Sequence, residues 1–108
     1  MKMRLVFDKE YDIVTGKYRV RVRELDLDDE LKAVVDGFEP TVKIRGEEIG
    51  LSELLDRSFE SPTREDAEKT MGEIRGALIE ALSALIARFK EAQNFNGSVV
   101  YEIDFNEL

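Results

Sequence analysis

From residue 63 to about residue 93 the chain runs without a proline and repeats its apolar residues at helical spacing. Ala67, Met71, Ile74, Leu78, Leu82, Leu85 and Phe89 recur three and four apart, the stripe of an amphipathic helix. Thr63-Arg64-Glu65-Asp66 resembles a capping box, with Asp where Glu or Gln is usual. Arg88 and Lys90 lie near the far end, where positive charge is favoured, and residues 94–97 close the element. About 30 residues of helix span roughly 45 Å. A compact domain of this length has a radius of gyration near 13 Å and is only about 35 Å across. The helix must therefore project or break, and a break would fall at Gly72 and Gly76.

The stripe also changes along its length. It is narrow up to Ile74. From Leu78 on, Leu78, Ile79, Leu82, Leu85, Ile86 and Phe89 cover about 120°, taking roughly 100° per residue. Beside them runs a row of small residues, Gly72, Gly76, Ser83 and Ala87, which lets a second helix approach closely. The expectation is a helix that packs on its own sheet and also against a second copy. The chain is then a homo-oligomer, with a dimer favoured and a contact surface of Gly72, Gly76, Ile79, Leu82, Ser83, Ile86 and Phe89. The alternative is that the protein's own sheet and a short helix cover the whole face.

The first 25 residues alternate with period two. Met3, Leu5, Phe7, Tyr11 and Ile13 stand against Lys2, Arg4, Asp8, Glu10 and Asp12, which reads as a strand. Residues 17–23 alternate as strictly, with Tyr18, Val20 and Val22 against Lys17, Arg19, Arg21 and Arg23. Thr15-Gly16 between them is a candidate two-residue turn. That turn pairs Val14 with Lys17, Ile13 with Tyr18 and Tyr11 with Val20. On the other side of the ribbon Asp12 meets Arg19, Glu10 meets Arg21 and Asp8 meets Arg23, a ladder of three opposite-charge pairs. A one-residue slip would break the alternation on both faces. Lys9, opposite Val22, is an imperfection on the inner face.

The middle of the chain reads as short elements. Asp28 or Asp29 caps a short helix through Leu31, Val34 and Val35, ended by Gly37. Residues 41–45 and 48–51 form a small hairpin about Gly46-Glu47. Ser52 caps a single turn over residues 53–56, and residues 58–61 are briefly extended before Pro62. Phe59 closes the core over the start of the long helix. After that helix, Val99, Tyr101, Ile103 and Phe105 alternate with Val100, Glu102 and Asp104, which predicts a terminal strand inside the sheet or beside the first strand. The order implies one α+β domain over residues 1–108. It has a mainly antiparallel sheet of four to five strands, with the long helix packed on one face. Leu5, Phe7, Tyr11, Val20, Val42, Ile44, Ile74, Leu78, Leu82, Leu85, Phe89, Tyr101 and Ile103 are its expected core.

Composition narrows the chemistry. There are 24 acidic and 16 basic residues, for a net charge of −8, and neither histidine nor cysteine. The commonest general base, the commonest metal ligand and every thiolate are thus missing. The excess of Glu, Lys and Arg fits a thermophile. No apolar run approaches a membrane span and no signal peptide opens the chain, so a cytoplasmic location is the default. The acidic run 24–30 lacks the glycine and distal Glu of a calcium loop. No residue is singled out as catalytic, cofactor-binding or metal-ligating. The serines have no histidine to serve as base, and any pair chosen among so many carboxylates would be arbitrary. The Lys17, Arg19, Arg21 and Arg23 stripe is the one basic patch, but it faces Asp8, Glu10 and Asp12, and the tyrosines point the other way. A non-enzymatic self-associating module is the leading reading. A nucleic-acid-associated accessory protein and a small carboxylate-dependent enzyme are the alternatives.

Overall fold

The computed structural model describes residues 1–107. The chain is α+β. Strand β1 (Met3–Asp12) pairs antiparallel with β2 (Lys17–Leu27), and helix α1 (Asp29–Gly37) follows. A second hairpin, β3 (Thr41–Ile44) and β4 (Glu47–Gly50), leads into the single turn α2 (Leu51–Leu55). Strand β5 (Ser58–Ser61) adds to the free side of β2, and α3 (Arg64–Phe95) ends the regular structure. Five strands are present, but in two sheets, with orders β1-β2-β5 and β3-β4, rather than in one.

The first hairpin turns two residues earlier than Thr15-Gly16 requires. Asp12 faces Lys17, Tyr11 faces Tyr18 and Glu10 faces Arg19, leaving a four-residue turn over residues 13–16. The cause is local. A two-residue type I′ turn needs positive φ at both central positions, which the β-branched Thr15 resists. Instead the Asp12 carboxylate accepts from the Val14 and Thr15 amides at 2.9 and 3.3 Å, and only Gly16 takes a positive φ, of 68°. A slip of two keeps every side chain on its face, so the alternation survives.

Further along, Val6 faces Glu24 while Phe7 faces Val22, so Arg23 is the extra residue of a β-bulge. The inward set on β2 changes from Val20 and Val22 to Leu25 and Leu27 across it. This change of parity is readable in the sequence.

The core has two parts. Val20, Val22, Phe59, Val42, Ile44, Ile49 and Leu54 close over Ala67, Ile74 and Leu78 of α3. Further along the helix, Val34 of α1 packs with Leu82 and Leu85. Both helix starts are capped: Asp28 accepts from the Leu31 amide at 3.0 Å, and Thr63 from the Asp66 amide at 3.1 Å. The hairpin β3-β4 turns at Arg45-Gly46, one residue before the expected place. Positive φ values of 51° and 79° there make the turn type I′.

Helix α3 does not break at Gly72 or Gly76; it continues for 32 residues, or about 48 Å. It carries the chain past its own core, because Leu85 is the last buried residue on it. The molecule measures 86 × 26 × 18 Å with a radius of gyration of 21.2 Å. The expected terminal strand does not form. Residues 98–107 contain no strand and are exposed throughout, so Tyr101 and Ile103 leave the expected core. The helix delivers this segment beyond the body that would have paired with it. Tyr11 is also exposed, near the hairpin tip, where its ring lies against that of Tyr18 at 4.8 Å.

Candidate functional site

Helix α3 presents two faces of different character. At roughly 100° per residue, Ile74, Leu78, Leu82 and Leu85 fall in one arc, and Gly72, Gly76, Ile79, Ser83 and Ile86 fall in a neighbouring one centred about 120° away. The first arc is the core side. Leu82 is buried against Val34, and Phe89 packs on the same cluster, so these two members of the expected contact surface belong to the protein's own interior. Gly72, Gly76, Ile79 and Ser83 are exposed and Ile86 is half-buried. The wide apolar arc thus divides into a buried side and a flank.

That flank borders a groove of mixed polar and apolar character. Ile79, 41% exposed, and Arg75 line it from α3, while Met3, Leu5 and Phe7 line it from the inner face of β1. Beyond them β1 is an edge strand: it pairs with β2 on one side and with nothing on the other among the described residues. The glycines have no internal justification. A Cβ at Gly72 or Gly76 would meet nothing within 4 Å, yet glycine weakens a helix interior by about 0.5–1 kcal/mol relative to alanine.

The charge ladder forms on the opposite face of the first sheet, with altered partners. Arg19 reaches Asp12 at 3.1 Å and Glu10 at 3.9 Å, and Arg23 reaches Asp8 at 3.4 Å. Arg21 lies 4.0 Å from Asp8 rather than beside Glu10, as the two-residue slip requires. Two of the expected pairs, Asp12–Arg19 and Asp8–Arg23, survive as diagonal contacts. Sequence reasoning missed Glu60 on β5, which binds Arg19 from the other side at 3.1 Å and Lys17 at 3.5 Å. Hydrogen bonding to Arg19 lowers the Glu60 pKa and raises that of the guanidinium. Asp12 is held low mainly by the Val14 and Thr15 amides. The stripe carries its own counter-ions.

Other candidate chemistry is likewise engaged in structure. Asp28, within the acidic run, accepts from the Leu31 and Lys2 amides, and the Leu31 bond is the main cause of its lowered pKa. Arg57 makes two bonds to Glu47, at 2.9 and 2.6 Å, and lies over the buried Phe59 ring. A depression of about 210 Å³ between Tyr11, Tyr18 and Met71 is rimmed by charges that are mostly paired, Arg64 with Glu68 and Arg19 with its acids. No group of three or more metal-ligating side chains converges among the described residues, and no helix there is long and apolar enough to cross a membrane. Comparison with protein-family models, with curated proteins and with solved structures finds no match to this chain.

Proposed function

We propose that the chain is a non-enzymatic module that associates with copies of itself through the exposed flank of α3, a dimer being the simplest assembly. The observation that carries this reading is the groove lined by Ile79, Met3, Leu5, Phe7 and Arg75 beside an unpaired strand edge. The unpaired main-chain groups of a free edge are a ready template for another chain. Gly72 and Gly76 on the same flank suit close approach of a partner backbone. The contact surface is the flank of Gly72, Gly76, Ile79, Ser83 and Ile86, without Leu82 and Phe89. The arginine stripe favours nucleic acid less, because each guanidinium already has a carboxylate beside it and the net charge is −8.

Replacing Ile79 and Ile86 together by Glu places charge on the flank while sparing the buried arc. The variant should keep its helical circular dichroism and lose self-association in sedimentation equilibrium. Replacing Arg19 and Arg21 by Gln should leave association intact. A wild-type protein that stays monomeric at millimolar concentration would refute the reading.

A further inference from the structure

We infer that residues 99–105 form an additional strand on the first sheet of a second copy, laid along the free edge of β1, so that the dimer is a reciprocal strand exchange. This rests on the self-association reading and names the segment that fills the groove.

The segment is built as a strand but has no strand to pair with. Val99, Tyr101, Ile103 and Phe105 alternate with Val100, Glu102 and Asp104, and those four are 64–84% exposed. Such a density of exposed β-branched and aromatic residues is unlike a solvated linker. Among the described residues, the segment's hydrogen bonds are local, from the Asn106 and Glu107 amides back to Asp104.

The receiving edge is equally specific. Lys9 lies on the inner face of β1, opposite the buried Val20. An inward charge of this kind protects an edge, and it leaves residues 3–7 as the open part. With Ile103 set beside Leu5, Tyr101 and Phe105 fall beside Phe7 and Met3, in either strand direction. The same register places Glu102 or Asp104 opposite Arg4 on the outer face. Arg4 stands opposite Asp26 on β2 but makes no ion pair within 4 Å among the described residues. One alignment thus matches the apolar residues and gives Arg4 a carboxylate, while the other acid falls beside Val6; main-chain bonds supply the affinity, as in other strand additions.

The donor is another copy because of α3. The helix runs from Phe89 to Phe95 beyond the core, about 9 Å, before the segment begins. Residues 98–107 are exposed throughout, and the molecule is 86 Å long against about 48 Å for α3. A two-fold axis makes the exchange reciprocal, and it lays the exposed flanks of the two helices close to the joint.

The chain has no cysteine, so disulfide trapping has a clean background. Leu5→Cys and Ile103→Cys proteins are prepared separately, mixed and oxidised. Neighbouring strands bring paired Cα atoms to about 5 Å, within disulfide reach. The expected product is a covalent heterodimer joined between positions 5 and 103, identified by peptide mass. If the 5–103 bond forms only when both substitutions share one chain, the segment folds back on its own sheet and the exchange is overturned. A protein ending at residue 97 should be monomeric and should exchange the amides of residues 3–7 faster. If it still dimerises, the strand exchange falls while the flank reading stands. If the full-length protein is monomeric at millimolar concentration, both fall.

Discussion

Arg45 shows how one side chain joins parts that are separate in sequence. It occupies the first central position of a type I′ turn, where its φ of 51° is a conformation better suited to glycine or asparagine. Its guanidinium donates to the Glu60 carbonyl at 2.8 Å, to the Ser61 hydroxyl at 2.7 Å and to the Thr70 hydroxyl at 2.8 Å. Its amide donates to Glu73 at 2.7 Å, and the guanidinium also covers the Phe59 ring at 5.6 Å. The residue thereby ties the small hairpin to β5 and to α3. Arg45→Gly separates the two roles. It relieves the backbone, which alone would stabilise, but strands the buried Ser61 hydroxyl. The expected net result is a loss of about 1–3 kcal/mol in urea denaturation, because an unsatisfied buried polar group costs more than the turn gains. A gain in stability would show that the clamp is dispensable. The turn glycine was visible in the sequence. The clamp was not, because its partners lie 15 to 28 residues away and nothing local marks them.

At the scale of elements, periodicity did most of the work. The stripe on α3 located its buried residues, and the caps at Asp28 and Thr63 formed as their residue types require. Leu82→Ala should cost about 2–5 kcal/mol, since its side chain fills the junction with Val34 of α1. Gly76→Ala should stabilise the dissociated protomer by about 0.5–1 kcal/mol, because the added methyl meets open space within the chain's own helix interior, and should weaken association through that flank. Thermal or chemical denaturation measures both. A neutral Leu82→Ala would mean that α1 does not dock on α3. The hairpin register was misplaced by two residues for a reason present in the sequence: Thr15 suits a type I′ turn poorly, and Asp12 can hold a longer one. The terminal strand failed differently. Its alternation predicts a strand, yet residues 98–107 form none, since an alternating segment takes strand form only where a sheet edge lies beside it.

On the scale of the whole molecule, four acids stitch different regions together. Asp12 lies at the hairpin turn, Asp28 at the start of α1, Glu47 on β4 and Glu60 on β5. Each is held below its ordinary value, 3.8 for Asp and 4.5 for Glu, by amides at Asp12 and Asp28 and by Arg57 and Arg19 at the glutamates. A carboxylate whose folded pKa is lowered contributes stability above its unfolded pKa and loses it as pH falls through the folded value. The melting temperature should therefore drop below about pH 4, as protonation reaches the lowered values. Acidification also relieves the repulsion of a net charge of −8, which acts the other way. Added salt screens that repulsion, so the acid-induced drop should be clearer at high salt. Asp28→Asn keeps a capping oxygen and removes the charge, and should take away part of the drop. A melting temperature that rises steadily to pH 3 at high salt would contradict the assignment.

Local physics was enough for much of this protein. Alternation made the hairpin, the 3.6-residue stripe made α3, and caps and glycines bounded the short elements, because each depends on neighbours within a few residues. Excess length in α3 was legible from counting alone. Whether it would bend, and which part of its wide apolar arc would be buried, was not. Those outcomes depend on where α1 and the two sheets settle along it, and on Leu82 being closer to Val34 than to any surface. The tertiary arrangement took Leu82 and Phe89 out of the expected contact surface, left Ile79 beside the free edge of β1, and carried residues 99–105 away from their own sheet. Strand pairing is a contact between distant parts of a chain, so the alternation of residues 99–105 could not by itself decide whether a strand forms there.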